Sequence, residues 1–172
     1  TSTDAGVTWT ARESNRHWFA LASSADGTRL VAVVYSGQIY TSTDAGVTWS
    51  AVGSIAASDV ADLPFRSDGN LLALTERGSL YLSEDDGVTF TPLATLTASN
   101  HVSLTSRRDG VLFALTGTGE VSRSIDLGET WTIRGTIAVS AAMEIRAVGT
   151  ALYVMTGSGW TWRSTDGGST WT

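Results

Sequence analysis

Cysteine is absent from the 172 residues, so disulfides and thiolate metal sites are excluded. Lysine is absent too, and all eleven basic residues are arginine, a bias that reads as genomic base composition before surface chemistry. No apolar run approaches the roughly 18 residues a membrane-spanning helix needs, so membrane insertion is not expected. Thr1-Ser2-Thr3-Asp4 has no basic head leading into an apolar run, so these residues are not expected to be a signal peptide. Basic stripes are missing and the net charge is −6, which disfavours nucleic acid and anionic membrane as partners. Only two prolines occur, and 42% of residues are hydrophobic, which argues against disorder.

What is present is a repeat. Ser42-Thr43-Asp44-Ala45-Gly46-Val47-Thr48-Trp49 recurs as Ser2 to Trp9, Ser83 to Phe90, Ser124 to Trp131 and Ser164 to Trp171. The serines stand at 2, 42, 83, 124 and 164, giving steps of 40, 41, 41 and 40 residues. A fixed period of this size marks a repeat architecture. Within each copy, S-x-D-x-G-x-T-W, the carboxylates of Asp4, Asp44, Asp85, Asp126 and Asp166 are placed to accept main-chain N–H groups across a tight turn. Gly6, Gly46, Gly87, Gly128 and Gly168 supply positive φ. Trp9, Trp49, Phe90, Trp131 and Trp171 then anchor the next strand by burying an aromatic ring.

This pattern resembles the Asp-box, or BNR repeat, of sialidases, sortilin-type receptors, some endoglucanases and photosystem assembly factors. The resemblance covers the whole chain. It implies a β-propeller in which each motif joins the third and fourth strands of a blade, on the rim. It does not imply an activity, because proteins with this device share none.

Between motifs the strand signals keep the same order. Leu30–Tyr35, Leu71–Leu74, Val111–Leu115 and Ala151–Met155 are second strands, preceded by turns at Asp26-Gly27, Asp68-Gly69, Asp109-Gly110 and Gly149. Ser36-Gly37, Gly78, Gly119 and Gly159 mark the second turns. Four short strands per roughly 40 residues is the plan of a propeller blade. The chain therefore reads as one all-β domain over 1–172, a β-propeller or propeller segment with about four four-stranded blades. Its repeats run at about 13–53, 54–95, 96–135 and 136–172, with 1–12 a partial blade. Thr8–Ala11 is placed to complete the last blade as its outer strand. A segment of a larger propeller is the first expectation, closure of a ring by self-association of several chains the second, and a free-standing four-blade ring the third.

Candidate chemistry is sparse. Arg66, Arg107 and Arg146 fall near the first turn of consecutive repeats, where they could ring one face and bind an anion, although solvated turn residues often look the same. The resemblance to sialidases implies an arginine triad, a Tyr–Glu pair and a Phe-Arg-Ile-Pro signature; Pro64-Phe65-Arg66-Ser67 is the only near match, in scrambled order. Asp62 and Glu144 sit on inner strands two blades apart, too distant for the roughly 5–10 Å that paired carboxylates need. His17 and His101 stand about two repeats apart and read as blade-end residues, so no metal and no cofactor is expected. Trp160 and Trp162 share one side of a strand and could stack on a sugar ring or a partner aromatic, or pack between blades. The reading is a non-catalytic structural or binding scaffold for protein or glycan, with an extracytoplasmic or secreted location. The alternative is part of a sialidase-like or glycoside-hydrolase-like enzyme whose catalytic residues lie outside this chain. A third reading, a photosystem-assembly-type module, rests on copies such as Asp166-Gly167-Gly168-Ser169-Thr170-Trp171.

Overall fold

The computed structural model describes residues 1–12, 15–24, 26–35, 37–55, 59–139 and 141–172. Ser36 of the expected second turn and the repeat boundary at residue 13 lie outside them. The four repeats form four antiparallel sheets. The first blade holds β1 (Trp18–Ser23), β2 (Leu30–Val34), β3 (Gln38–Ser42) and β4 (Ser50–Ser54). The second holds β5 (Val60–Asp62), β6 (Leu71–Thr75), β7 (Ser79–Ser83) and β8 (Thr91–Thr95). The third holds β9 (His101–Ser106), β10 (Leu112–Thr116), β11 (Glu120–Ser124) and β12 (Thr132–Thr136). The fourth is three-stranded, with β13 (Ala142–Val148), β14 (Ala151–Thr156) and β15 (Thr161–Ser164). Together they make a four-blade β-propeller, and no helix occurs among the described residues.

The core is divided among the seams between blades. Val31, Val33 and Ile39 of the first blade meet Leu71 and Ala73 of the second. Leu72, Leu74 and Leu80 of the second meet Leu104, Leu112 and Ala114 of the third. Phe113, Leu115 and Val121 of the third meet Ile145, Leu152 and Val154 of the fourth. Successive residues of β6 and β10 therefore face opposite seams, and these strands, with a blade on each side, are buried along their whole length.

The inner strands β5, β9 and β13 are stitched one to the next. Asp62 Oδ2 accepts from Ser103 Oγ at 3.1 Å and from the Leu104 amide at 2.8 Å. Ser103 Oγ in turn accepts the Ile145 amide at 3.2 Å, and Thr105 Oγ1 the Ala147 amide at 3.3 Å. The first and last inner strands are not joined in this way, and no Cα of β1 comes within 8 Å of β13.

Residues 1–12 depart from the expected role. The Thr10 amide donates to the Thr1 carbonyl, and the Thr1 amino group to the Thr10 carbonyl, both at 2.7 Å. Arg163 and Thr172 pair in the same way at 2.8 and 3.0 Å. Each motif thus closes on its own flanks, and Thr8–Ala11 forms no strand on the last blade. The first motif instead lies against the first blade, where a Cβ on Gly46 would stand 3.0 Å from Thr1 Cγ2.

Candidate functional site

The five rim motifs share one hydrogen-bond scheme. In the first blade, Ser42 Oγ donates to Asp44 Oδ1 at 2.8 Å and accepts the Gly46 amide at 2.8 Å. Asp44 accepts the Thr48 amide at 2.8 Å and the Thr48 hydroxyl at 2.6 Å, and Trp49 Nε1 donates to the Gly46 carbonyl at 3.2 Å. The same bonds recur around Asp4, Asp126 and Asp166; around Asp85 only the indole bond is missing, because Phe90 has no N–H. The threonine hydroxyl, the threonine amide and the serine hydroxyl hold the carboxyls of Asp4, Asp44 and Asp126 down at about 2. A carboxyl lowered on folding adds stability above its unfolded value of 3.8, and that stability is lost as pH falls towards the folded value. The rim therefore tolerates all but strong acid.

Serine and threonine hydroxyls are suited to close such a turn, but spacing does not reveal the burial of the serine or the backbone of the residue before the glycine. The serine is its hub: Ser42, Ser83, Ser124 and Ser164 are buried, whereas the aspartates face solvent. The residue before the glycine is also left-handed, with φ of 57° at Ala5, 56° at Ala45, 57° at Asp86 and 59° at Leu127. Only the last motif puts a glycine there, Gly167 at 71°.

At one end of the propeller, arginines converge. Arg29, Arg66, Arg107 and Arg108 line a cavity of about 490 Å3 together with Phe65 and Ser106. Arg66 is nearly buried, is gripped by Asp68, and donates through Nη1 to the Leu127 carbonyl of the next blade's motif at 3.1 Å. Arg107 pairs with Asp109, and Arg29 with Asp86 of the second blade's motif. Arg108 has neither hydrogen bond nor ion pair among the described residues, and it also lines an adjoining cavity of about 640 Å3. The spacing singled out Arg66 and Arg107, which the structure brings together, and missed Arg29 and Arg108, which have no counterpart at the same phase.

Arg146 does not join this group. It sits inside β13 and pairs through Nε with Glu144 at 2.6 Å. Both line a central cavity of about 400 Å3 shared with Phe19, Leu21, Asp62 and Met143. The structure thus places Asp62 and Glu144 on the wall of one cavity. Asp62 already accepts three hydrogen bonds, from Leu63, Ser103 and Leu104, and burial pushes its carboxyl above the usual range. Trp160 precedes β15 and is exposed, whereas Trp162 packs into the seam between the third and fourth blades.

The leading face of the first blade is open. Leu21 is 64% exposed, while Leu63, Leu104 and Ile145, which occupy its position in the other blades, are 0% exposed. With Trp9, Trp18, Leu30 and Trp49 it lines a groove of about 730 Å3.

The fold is shared with solved structures of low sequence identity. A structure described as YCF48 bound to D1 peptide superposes with a TM-score of 0.67 at 20% identity, over 99% of this chain and 59% of that one. The computationally designed Ika4 protein gives 0.65 at 14% identity, over 90% of this chain and 94% of its own. A chain of a nidogen/laminin complex gives 0.73 at 13% identity, over 88% of this chain and 60% of its own. This chain thus spans about three fifths of the YCF48 and nidogen/laminin chains it matches. Among curated proteins, none matches it in sequence. A family model nevertheless matches from the first residue to the last, and by that match over residues 1–172 the chain belongs to the family described as photosynthesis system II assembly factor YCF48.

Proposed function

We propose that this propeller is a non-catalytic scaffold that holds an acidic peptide segment of a protein partner in the arginine-lined cavity. The observation that carries this is the gathering of four of the eleven arginines around one opening in a chain whose net charge is −6. Carboxylates suit the site because guanidinium groups bind them with directional, charge-assisted hydrogen bonds. Arg66 and Arg107 are pre-oriented by their aspartates, and Arg108 is free to close on a ligand. The solved complex of a YCF48 protein with a D1 peptide supports the choice of a peptide partner. The alternative, a portion of a glycan-cleaving enzyme, draws little from the central cavity, where Asp62 is saturated with hydrogen bonds and Glu144 is paired with Arg146.

The test is titration of a fluorescein-labelled peptide rich in Asp and Glu. Arg108→Glu together with Arg107→Glu is expected to weaken binding about tenfold or more, corresponding to ~1.4 kcal/mol, with the wild-type affinity falling as salt rises. Unchanged affinity in the double variant would overturn the assignment.

A second reading, self-association through the leading face of the first blade, draws on the exposure of Leu21. Sedimentation equilibrium is expected to show a concentration-dependent dimer that Leu21→Arg abolishes; a monomer at every concentration would exclude it.

A further inference from the structure

His101 opens β9 on the seam between the second and third blades and is 1% exposed. Neither Nδ1 nor Nε2 has a hydrogen-bond partner among the described residues. Strand pairing sets His101 opposite Thr116, as Val60 is set opposite Thr75 and Ala142 opposite Thr156. The slot is thus apolar in the neighbouring blades, and only the third fills it with a titratable ring. The His101 amide donates to the Glu76 carbonyl at 3.0 Å, and a Cβ on Gly78 would stand 3.3 Å from His101 Cε1. The ring is therefore wedged against the 76–78 turn of the second blade.

No carboxylate pairs with that ring among the described residues, although Asp59 Oδ2 and Glu120 Oε1 are themselves buried without a hydrogen-bond partner. Glu76 offers only its carbonyl, with its side chain in solvent. Asp59 and Arg77, at the same end of the second blade, are occupied with one another at 3.4 Å. Asp62, on β5, spends its carboxylate on Leu63, Ser103 and Leu104.

We propose that His101 is an acid-sensitive latch: on mild acidification a ring nitrogen takes a proton from solvent, the charged ring cannot stay in its apolar slot, and the start of β9 separates from the 76–78 turn. Burial lowers the tendency of the folded ring to hold a proton below the ordinary histidine value of 6.5. The sign follows from linkage: the stability tied to a lowered value is complete above 6.5 and is lost as pH falls below it. Asp62 acts in the opposite sense, since a raised carboxyl favours the fold as it protonates, so it offsets part of the loss. The rim aspartates contribute nothing until pH approaches 3.8. Between 3.8 and 6.5 the two groups oppose one another, so the contribution of His101 is read as the difference between the wild-type chain and His101→Val.

Hydrogen exchange of the β9 amides at pH 7.5 and 5.5, corrected for intrinsic rates, tests this directly. In the wild-type chain the exchange-competent fraction is expected to rise about five- to tenfold on acidification. His101→Val, which restores the residue found at this position in the second blade, is expected to change less than twofold. Equal rises in both proteins, or none in the wild type, would overturn the latch. An NMR titration of the His101 ring gives a second arm that needs no variant: a midpoint below 6.5 is required, and one at or above it rejects the proposal.

Discussion

Phe113→Ala is expected to lower the free energy of unfolding by about 3–5 kcal/mol, the range for deleting a buried aromatic ring. Phe113 lies near the middle of β10, paired with Thr105 on one side and Arg123 on the other. Its ring is 0% exposed and packs with Leu115, Val121, Ile145 and Leu152 in the seam between the third and fourth blades. Neither neighbour can move in to fill the space, because each strand is fixed in its own sheet ladder. Val31 and Leu72 hold the same place in the first and second blades, so the third seam depends most on one side chain. Urea melts followed by tryptophan fluorescence would report the loss, and a change under 1.5 kcal/mol would mean the seam repacks freely.

Gly119→Ala is expected to cost about 3 kcal/mol, combining a left-handed backbone with a collision. Gly119 has a φ of 89°, and a Cβ there would stand 2.3 Å from the Ile137 carbonyl oxygen. That approach is built in, since the Ile137 amide donates to the Gly119 carbonyl at 2.9 Å and binds the end of β12 to the turn. Gly37 with Ile55 and Gly78 with Leu96 repeat the bond at 2.9 Å. Gly159 supplies the control. Its φ is 85°, yet nothing lies within 4 Å of its Cβ position. Gly159→Ala should therefore carry only the backbone term of about 1–2 kcal/mol. Equal effects at the two glycines in denaturant melts would show that the collision relaxes away.

The blades, the turn motif and the glycines were legible in the sequence because a repeat writes the same local requirement several times. Asp-x-Gly at a step of 40 or 41 announces a left-handed residue on the rim whatever surrounds it. Contacts between blades leave no such trace, since they join residues a full period apart that need not resemble each other. Asp62 and Ser103 hold equivalent places and serve the same stitch with different chemistry. Val60, His101 and Ala142 share one slot and look unrelated as letters. Arg29 and Arg108 belong to the arginine cavity through the curvature of the propeller, not through phase. The serine of the motif was visible and undervalued, because its role depends on burial, which spacing alone does not reveal.

The side-chain bonds that lock each rim motif join residues at most four positions apart. Such a loop closes without waiting for any distant strand, so the polypeptide carries five equivalent nuclei from which ordering can spread into adjacent hairpins. Damage to one nucleus leaves four others to start refolding. The route to the native state is thereby more tolerant of mutation than the final stability is.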